Sequence, residues 1–153
     1  MSVEQARNYR KVNDLLATSG SLNEDQLAGL RSEGFEVVIN LLPPDSPYAV
    51  PGEEQILAAR GIEYRCIPVD FSAPRTGDFD SFVEAMNQVR GKKVLVHCAA
   101  NYRVSAFYSL YARARGEWSP RQAREFIRSV WDPGEHPGWP EFIRQIEAKI
   151  SGG

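Results

Sequence analysis

One stretch of the sequence, residues 94–105, places a cysteine between a run that favours a strand and a run that favours a helix. Residues 94–96 (Val-Leu-Val) indicate the strand, because consecutive β-branched and aliphatic residues are typical of a buried strand. An apolar run at residues 106–111 indicates a helix directly after a short polar turn. This order predicts that the sulfur of Cys98 lies at the N-terminus of a helix.

A cysteine at the N-terminus of a helix has surroundings that suit an anion. The first backbone N–H groups of a helix lack intrahelical acceptors, and the positive end of the helix dipole lies beside them. Such surroundings lower the pKa of a thiol, and the thiolate is the nucleophilic form of cysteine. The stretch around Cys98 therefore predicts a nucleophile and an anion-binding loop within one turn. The alternative is a buried core cysteine, since free cysteines are among the most buried residues.

Strand-like and helix-like segments alternate along the chain. The predicted strands are residues 14–20, 35–41, 62–69 and 94–98, and the predicted helices are residues 21–34, 53–60, 79–90, 104–115, 119–130 and 140–150. Such alternation predicts an α/β fold of three layers, with a central, mostly parallel sheet of four to five strands flanked by helices. No linker divides the chain, so residues 1–153 are predicted to form a single domain. Ligands bind at the carboxyl ends of such strands, where we expect Cys98 and the loop that begins at Asp70.

Capping residues predict where two of the helices begin and end. Ser21 or Asn23 is expected to cap the first helix, and Gly34 is expected to end it. Asp78 is expected to cap the third helix in the same way.

Composition and charge exclude several classes of function. The formal net charge of -2 and the pI of about 5.7 argue against nucleic acid as the partner, because binding to a phosphate backbone requires a basic face. No run of about 18 apolar residues is present, so no membrane-spanning helix is expected. Residues 1–7 lack the layout of a secretory signal, and Cys66 and Cys98 are too few for a disulfide framework. We therefore expect a cytoplasmic, reduced protein.

Five segments together give a resemblance to a known superfamily. They are residues 15–20 (LLATSG), 34–41 (GFEVVINL), 61–64 (GIEY), 67–70 (IPVD) and 94–98 (VLVHC), in that order and spacing. In these segments the sequence resembles the cysteine-dependent protein tyrosine and dual-specificity phosphatase superfamily. Within it, the sequence is similar to a bacterial phosphatase-like group related to the amino-terminal part of beta-lactamase hydrolase-like proteins. The resemblance covers most of the chain and implies the fold of a protein tyrosine phosphatase.

The resemblance implies hydrolysis of phosphotyrosine or other small phosphomonoesters through a cysteinyl-phosphate, without a metal or cofactor. It assigns the nucleophile to Cys98, the clamp on the phosphoryl oxygens to Arg103 and the general acid to Asp70. Ser105 would assist the departing thiolate, and His97 would fix the loop by hydrogen bonding. The implied phosphate-binding loop comprises Ala99, Ala100, Asn101, Tyr102 and Val104. The implied partner is a phosphorylated protein or small molecule.

The spacing between the cysteine and the arginine departs from the superfamily pattern. That pattern has five intervening residues, usually with Gly third, whereas here four residues intervene and Asn101 replaces the Gly. Without a gap in the alignment, Ser105 keeps its place and Val104 occupies the arginine position. With one residue deleted, Arg103 keeps its role. Asn adopts the left-handed backbone conformation more readily than most residues, so the Gly replacement is compatible with the turn.

Other interpretations of the same residues stay open. Asp78 or Asp80 could supply the proton in place of Asp70. The short loop also favours a phosphatase-like domain that binds a phosphorylated partner or an anion without hydrolysing it. A third hypothesis is a rhodanese-like sulfurtransferase, because rhodanese-like loops are shorter than phosphatase loops. Cys66 is predicted to be a core residue, and two histidines without a cysteine cluster argue against a zinc site.

Overall fold

Five short strands form one central sheet in the computed structural model of the chain, which describes residues 2–152. They are β1 (Arg10–Asn13), β2 (Leu16–Ser19), β3 (Val37–Asn40), β4 (Glu63–Cys66) and β5 (Val94–His97). The strand order is β1-β2-β5-β3-β4, with β1 antiparallel to β2 and each other pair parallel. The predicted α/β fold with a mostly parallel sheet is confirmed. Of the predicted domain at residues 1–153, Met1 and Gly153 lie outside the described residues.

Helices cover both faces of this sheet. Within the described residues they are α1 (Glu24–Gly29), α2 (Glu53–Ala58), α3 (Thr76–Gln88), α4 (Tyr102–Ala114), α5 (Pro120–Val130) and α6 (Trp139–Gly152). Short 3-10 turns occupy Val3–Gln5 and Pro133–Glu135. Across residues 2–152, no helix combines the length and the apolar character needed to cross a membrane.

The side chains of β5 alternate between two apolar clusters, because successive residues of a strand point to opposite faces of the sheet. Leu95 belongs to the cluster that contains Leu27 of α1 and Leu57 of α2. Val96 and Cys98 belong to the larger cluster, to which α3, α4, α5 and α6 contribute. The sheet therefore lies between two helical layers, which gives the predicted three-layer arrangement.

Aromatic rings fix α4 within the larger cluster. Phe107 of α4 stacks on Phe142 of α6 with 5.4 Å between ring centroids, and Phe82 of α3 meets Phe107 edge-on at 5.7 Å. All three rings are buried. Burial of such a side chain stabilises a fold by about 1.5–3 kcal/mol. These contacts hold the helix whose first turn follows the cysteine loop.

The first helix is shorter than the sequence predicts. Asn23 caps it, because its side chain accepts a hydrogen bond from the backbone N–H of Gln26 at 2.8 Å. The helix ends at Gly29 rather than Gly34. Glycine has low helix propensity, and residues 30–33 continue only as turns. Gly34, with φ 93°, then reverses the chain in the left-handed conformation.

Two further boundaries differ from the prediction. α3 begins at Thr76, so Asp78 is its third residue rather than its cap, and the carboxylate accepts a hydrogen bond from the backbone N–H of Arg75 at 3.1 Å. An acidic side chain can reach back in this way from the third helical position. β1 (Arg10–Asn13) was not predicted, because its polar residues alternate only between half-buried and exposed positions at the sheet edge.

The turn after β2 lies directly against the loop after β5. The backbone N–H of Gly20 donates to the carbonyl oxygen of Arg7 at 2.7 Å, and that of Ser21 donates to the carbonyl oxygen of Ala99 at 2.9 Å. A Cβ atom on Gly20 would lie 2.6 Å from the Ala99 oxygen and 2.9 Å from the Arg7 oxygen. Only glycine allows so close an approach of backbones. The N-terminal segment and the loop after Cys98 are therefore held together.

We expect Gly20→Ala to lower the free energy of unfolding by about 1–3 kcal/mol, because the added methyl group overlaps two backbone oxygens. Urea denaturation measures the change. Gly77→Ala, in the first turn of α3, is the matched control, since nothing lies within 4 Å of its added Cβ atom. Because alanine has a higher helix propensity than glycine, Gly77→Ala should leave the free energy of unfolding unchanged or raise it by up to about 1 kcal/mol. Equal effects of the two substitutions would contradict the close-approach argument.

Candidate active site

Cys98 follows β5 directly and is separated from α4 by residues 99–101. Its side chain has no exposed surface and packs in the larger apolar cluster. Its backbone N–H donates to the carbonyl oxygen of Ser19 at 3.3 Å. α4 begins at Tyr102, two residues before the predicted start at Val104. Strand, cysteine, short loop and helix thus follow one another in the predicted order.

Asn101 closes the loop in the left-handed conformation, with φ 67° and ψ 10°, which few residues other than glycine adopt. Its side chain is fully buried, and its Nδ2 donates to the carbonyl oxygen of Asn8 at 2.8 Å and to Oγ1 of Thr18 at 2.9 Å. Asn8 is also left-handed, with φ 52°, and its Nδ2 donates to the carbonyl oxygen of Ala100 at 2.9 Å. Two asparagines therefore bind the loop to the N-terminal segment.

The first turn of α4 contains backbone N–H groups without helical partners. The N–H of Ser105 donates to the carbonyl oxygen of Asn101 at 2.9 Å and makes the first bond of the helix. The N–H groups of Tyr102, Arg103 and Val104 precede it, so they have no acceptor within the helix. Donors at the start of a helix suit the oxygens of a phosphoryl group.

Arg103 extends its side chain into a cleft beside the loop. Its guanidinium carbon lies 5.2 Å from the ring centroid of Phe71, and its Nε is buried without a hydrogen-bond partner. The Val104 side chain is instead fully buried in the larger apolar cluster. This placement favours the alignment in which Arg103 keeps the arginine role. Val104 can then offer only its backbone N–H.

Unpartnered polar atoms are concentrated around this loop. Within residues 2–152, four buried side-chain nitrogen or oxygen atoms lack a hydrogen-bond partner: His97 Nδ1, Asn101 Oδ1, Arg103 Nε and Ser109 Oγ. The first three belong to the segment from the end of β5 to the start of α4. Buried polar atoms are normally satisfied by protein or by a bound molecule. Their concentration makes this segment the candidate site, with Asn101 and Arg103 in the loop and helix start and His97 on the opposite face of the sheet.

The cleft beside the loop has a volume of about 370 Å³. It is lined by Arg7, Ser46, Pro47, Tyr48, Phe71, Ala99, Ala100, Tyr102 and Arg103. This volume lies at the lower end of the range for small-ligand pockets, so the cleft holds more than a phosphate group. The floor is formed by residues that follow Cys98, whose own side chain is fully buried.

The three candidate general acids have different surroundings. The Asp78 carboxylate accepts a hydrogen bond from the backbone N–H of Arg75, the residue before α3, and Asp80 forms an ion pair with Lys149 at 3.1 Å. Asp70 is exposed in the loop after β4, and Arg103 is among its electrostatic neighbours. Asp70 is therefore the aspartate that the fold brings toward the cleft.

Hydrogen bonds hold Asp70 in its ionised form. Its carboxylate accepts from the hydroxyl group of Ser72 at 2.7 Å and from the backbone N–H of Ser72 at 2.9 Å. These two bonds, followed by the positive charges of Arg103 and Arg75, lower the pKa of Asp70 below its ordinary value. A general acid must be protonated to act, so the lowered pKa opposes the acid role that the sequence predicts for Asp70.

His97 points to the opposite face of the sheet from Cys98 and meets Glu53 there. Its Nε2 lies 2.7 Å from a carboxylate oxygen of Glu53, and both side chains are buried. Glu53 is the first residue of α2. The sequence did not identify it, because an acidic residue in a first helical turn is ordinary and lies 44 residues from its partner. The contact fixes the imidazole ring of the residue next to the cysteine.

Ser105 is buried in the first turn of α4. Its hydroxyl group donates to the carbonyl oxygen of Tyr102 at 3.1 Å and accepts from Nε1 of Trp131 at 3.0 Å. These are its side-chain hydrogen bonds within residues 2–152, so its described partners do not include Cys98. The hydroxyl group instead ties α4 to the end of α5.

Aromatic rings from three segments pack together beside the cleft, and two of them, Phe71 and Tyr102, line it. Tyr102 stacks on Trp131 with 4.6 Å between ring centroids, and Phe71 packs against both rings. The ring of His136 lies 5.3 Å from the rings of Phe71 and Trp131. Nε1 of Trp139 donates to the carbonyl oxygen of Phe71 at 2.8 Å. The loop after β4 is thereby fixed beside the cleft.

Cys66 lies half-buried at the end of β4, and burial raises the pKa of its thiol. Asn40 of β3 pairs with Cys66 on one side and with His97 on the other. Cys66 is therefore two strand spacings, about 10 Å, from the residue before Cys98, which is too far for a disulfide. Within residues 2–152, no group of three His, Cys, Asp or Glu residues is arranged to hold a metal ion.

Comparison with curated proteins identifies a longer relative. No protein-family model matches the chain. A beta-lactamase hydrolase-like protein of Xylella fastidiosa (strain 9a5c) is 33% identical over 149 residues, which covers 92% of this chain and 33% of that protein. The chain thus spans about a third of the length of this relative.

Comparison with solved structures identifies relatives of similar length. The crystal structure of "Putative phosphatase (DUF442)" from Shewanella putrefaciens CN-32 has 36% sequence identity and a TM-score of 0.87, and covers 94% of this chain and 91% of that chain. The structure of P. aeruginosa TpbA in complex with pTyr has 16% identity and a TM-score of 0.72, and covers 95% of this chain and 91% of that chain. At this identity the TpbA similarity shows the fold alone.

We expect Asn101→Gly to lower the free energy of unfolding by about 1–2 kcal/mol. Glycine relieves about 1 kcal/mol of left-handed backbone strain. However, it removes two buried hydrogen bonds and leaves the carbonyl oxygen of Asn8 and Oγ1 of Thr18 without these donors, which costs about 2–3 kcal/mol. Thermal or urea denaturation measures the difference. Asn101→Asp keeps the size and turn preference but replaces the donors with a buried carboxylate beside the carbonyl oxygen of Asn8, so a larger loss than that of the glycine variant is expected. A glycine variant as stable as the parent would show that backbone strain dominates.

Proposed function

The chain belongs to the DUF442 family within the protein tyrosine phosphatase-like superfamily, and on this premise we propose that it hydrolyses phosphomonoesters through a cysteinyl-phosphate. Its substrate is a phosphorylated small molecule or protein, of the kind represented by the pTyr bound to TpbA. In this proposal Cys98 is the nucleophile and Asp70 is the general acid. Arg103 and the backbone N–H groups of residues 99–104 bind the phosphoryl oxygens.

One observation carries this proposal: an unpaired guanidinium lies beside the N-terminus of the helix that follows Cys98. Arg103 has a buried Nε without a partner, and its nearest stabilising contact is the face of Phe71. A cation in the first turn of a helix is opposed by the positive end of the helix dipole. A bound phosphoryl group would pair with the guanidinium and offset the positive end of the helix dipole, because a planar guanidinium binds two oxygens and helix N–H groups bind others.

The proposed reaction has two steps. The Cys98 thiolate attacks phosphorus, so that a sulfur–phosphorus bond forms and the bond to the ester oxygen breaks, while the Asp70 carboxyl group gives its proton to that oxygen. The Asp70 carboxylate then takes a proton from a water molecule as the water oxygen attacks phosphorus. The sulfur–phosphorus bond breaks, and inorganic phosphate and the thiolate are released. Arg103 holds the phosphoryl oxygens in both steps.

In this proposal His97, Glu53 and Ser105 hold the loop in place and take no part in forming or breaking bonds. The His97–Glu53 contact holds the end of β5, from which Cys98 projects. The Ser105 hydroxyl group faces Tyr102 and Trp131, so assistance to the departing thiolate would require it to exchange one of these partners. These positions define what each substitution would disturb.

The burial of Cys98 favours a second candidate function, the binding of a phosphorylated ligand without hydrolysis. A nucleophile must reach phosphorus, but the Cys98 side chain has no exposed surface. Hydrolysis therefore requires residues 99–101 to move and uncover the sulfur, whereas binding by Arg103 requires no such movement. The shortened loop likewise favours the rhodanese-like alternative, in which Cys98 would carry a persulfide. The experiments below separate the three functions.

We expect Cys98→Ser to lower the rate of p-nitrophenyl phosphate hydrolysis by at least about a thousandfold, because the nucleophile is removed. Binding of inorganic phosphate, measured by calorimetry, should persist, because Arg103 and the loop are retained. Cys98→Ala serves as a second variant, since a hydroxyl group in an apolar site lowers stability.

Other outcomes of this experiment distinguish the alternatives. Equal hydrolysis by the wild type and both variants would exclude a cysteinyl-phosphate. Phosphate binding without hydrolysis by the wild type would support the binding function instead. Formation of thiocyanate from thiosulfate and cyanide, lost in Cys98→Ala, would support the sulfurtransferase.

We expect Ser72→Ala to shift the alkaline decline of hydrolysis to higher pH. The Ser72 hydroxyl group is the largest cause of the lowered pKa of Asp70, so its removal raises that pKa. A general acid is lost as pH rises through its pKa, and a higher pKa therefore moves this loss upward. The measurement is the pH profile of kcat for p-nitrophenyl phosphate and for an ester with a poorer leaving group. Ser129→Ala, whose hydroxyl group donates to the carbonyl oxygen of Phe126, is the control. An identical profile in both variants would remove Asp70 from the acid role.

A further inference from the structure

Two arginines, Arg103 and the exposed Arg7, are among the residues that line the same cleft. Arg103 extends from the first turn of α4, and Arg7 extends from the N-terminal segment. Among the described residues, neither guanidinium donates a hydrogen bond or forms an ion pair, and the Arg103 guanidinium lies against the ring face of Phe71. In contrast, Arg10 of the same N-terminal segment donates to the carbonyl oxygens of Tyr9 and Ser129. The cleft is therefore lined by two arginines whose guanidinium groups have no hydrogen-bonded partner among the described residues.

The backbone of Arg7 is held in place by the site itself. Its carbonyl oxygen accepts from the N–H of Gly20 at 2.7 Å, and the next residue, Asn8, donates from its side chain to the carbonyl oxygen of Ala100. Asn101 in turn donates to the carbonyl oxygen of Asn8. The backbone of an ordinary exposed arginine is not held by hydrogen bonds to a binding loop. The Arg7 side chain starts from a backbone position next to a residue that is hydrogen-bonded to the loop after Cys98.

The cleft is also lined by Ser46, Pro47 and Tyr48, in the loop between β3 and α2. The Tyr48 side chain is 54% exposed, which is unusual for a large ring. The backbone N–H of Tyr48 donates to the hydroxyl oxygen of Ser46 at 3.1 Å. Three aromatic side chains, those of Tyr48, Phe71 and Tyr102, belong to the lining of the cleft. Such a lining accommodates a flat or apolar spacer between charged ends.

The charges of the cleft contrast with those of the whole chain. The formal net charge is -2, yet the residues that line the cleft include two arginines and no acidic side chain. The nearest acidic group identified is Asp70, which interacts with Arg103 from the rim. Two arginines on one cleft place two positive charges there, and a ligand with two anionic groups would offset both charges.

We propose that Arg7 binds a second anionic group, and that the preferred substrate is a small aromatic or apolar phosphomonoester that also carries a carboxylate or phosphate. This inference rests on the proposed function, in which Arg103 and the loop bind the phosphoryl group that is hydrolysed. Arg7 then determines which phosphomonoesters fit. The aromatic side chains of the cleft contact the spacer between the two anionic groups.

The test compares matched probes that differ in one carboxylate. Phenyl phosphate, 3-carboxyphenyl phosphate and 4-carboxyphenyl phosphate are titrated by calorimetry into the Cys98→Ser and Cys98→Ala variants, so that leaving-group chemistry does not enter. We expect at least one carboxylated probe to bind about fivefold more tightly than phenyl phosphate, the size appropriate to an arginine–carboxylate pair at an exposed site. Adding Arg7→Met should reduce this ratio to about one.

Arg31→Met provides the matched control, because it removes the same charge from an exposed turn after α1 and lies away from the cleft. The binding ratio should stay at about fivefold in this variant. Equal affinity of all three probes for the parent, or a ratio that survives Arg7→Met, would overturn the inference. Turnover of phenyl phosphate by the wild type is measured separately and decides the proposed hydrolysis. Failure of all three probes to bind would overturn both proposals.

Discussion

The hydrogen bonds that hold Asn101 in a left-handed turn are the constraint on which the site depends. This residue ends the loop after Cys98 and starts α4, and its amide group donates to the N-terminal segment and to β2. Asn8 and Ser21 bind the carbonyl oxygens of the same loop from the other direction. The short loop is therefore positioned by contacts with distant parts of the chain, not by its own sequence alone.

A shorter loop has consequences for the chemistry that the site can support. The turn brings Arg103 into the cleft, while Val104 remains in the core. The arginine side chain is therefore open to the cleft, although one residue fewer than in the superfamily pattern separates it from Cys98. The same turn leaves Cys98 covered. In this structure Arg103 is open to the cleft and the sulfur of Cys98 is not, so the proposed binding uses the loop as it stands and the proposed attack by sulfur requires the loop to move.

The electrostatics of the cleft come from elements far apart in the chain. Arg7 precedes the sheet, Asp70 follows β4 and Arg103 starts α4, yet all three lie around one loop. The Asp70 carboxylate is stabilised in its ionised form by Ser72, whereas the two guanidiniums lack acidic partners within the cleft. An acidic protein thus concentrates positive charge at one site, which favours phosphorylated ligands over other classes of partner.

Local patterns were sufficient to predict the α/β fold and the position of Cys98 between a strand and a helix. The reason is that apolar runs and helical periodicity can be recognised within a few neighbouring residues. The same patterns missed β1 and misplaced the end of α1, since a polar edge strand and a glycine inside a short helix give weak signals. They also gave no reason to single out Glu53, because its contact with His97 spans 44 residues.

The sequence by itself determined the order of strands and helices and the chemical groups available at the carboxyl end of the sheet. Only the tertiary structure decided how those groups are placed: Arg103 and Arg7 line one cleft while Val104 lies in the core, and Asp70 interacts with Arg103 whereas Asp78 and Asp80 have other partners. The physical reason is that propensity and periodicity act within a few residues, whereas hydrogen bonds such as that between Asn8 and Ala100 connect segments that become neighbours only when the whole sheet has formed.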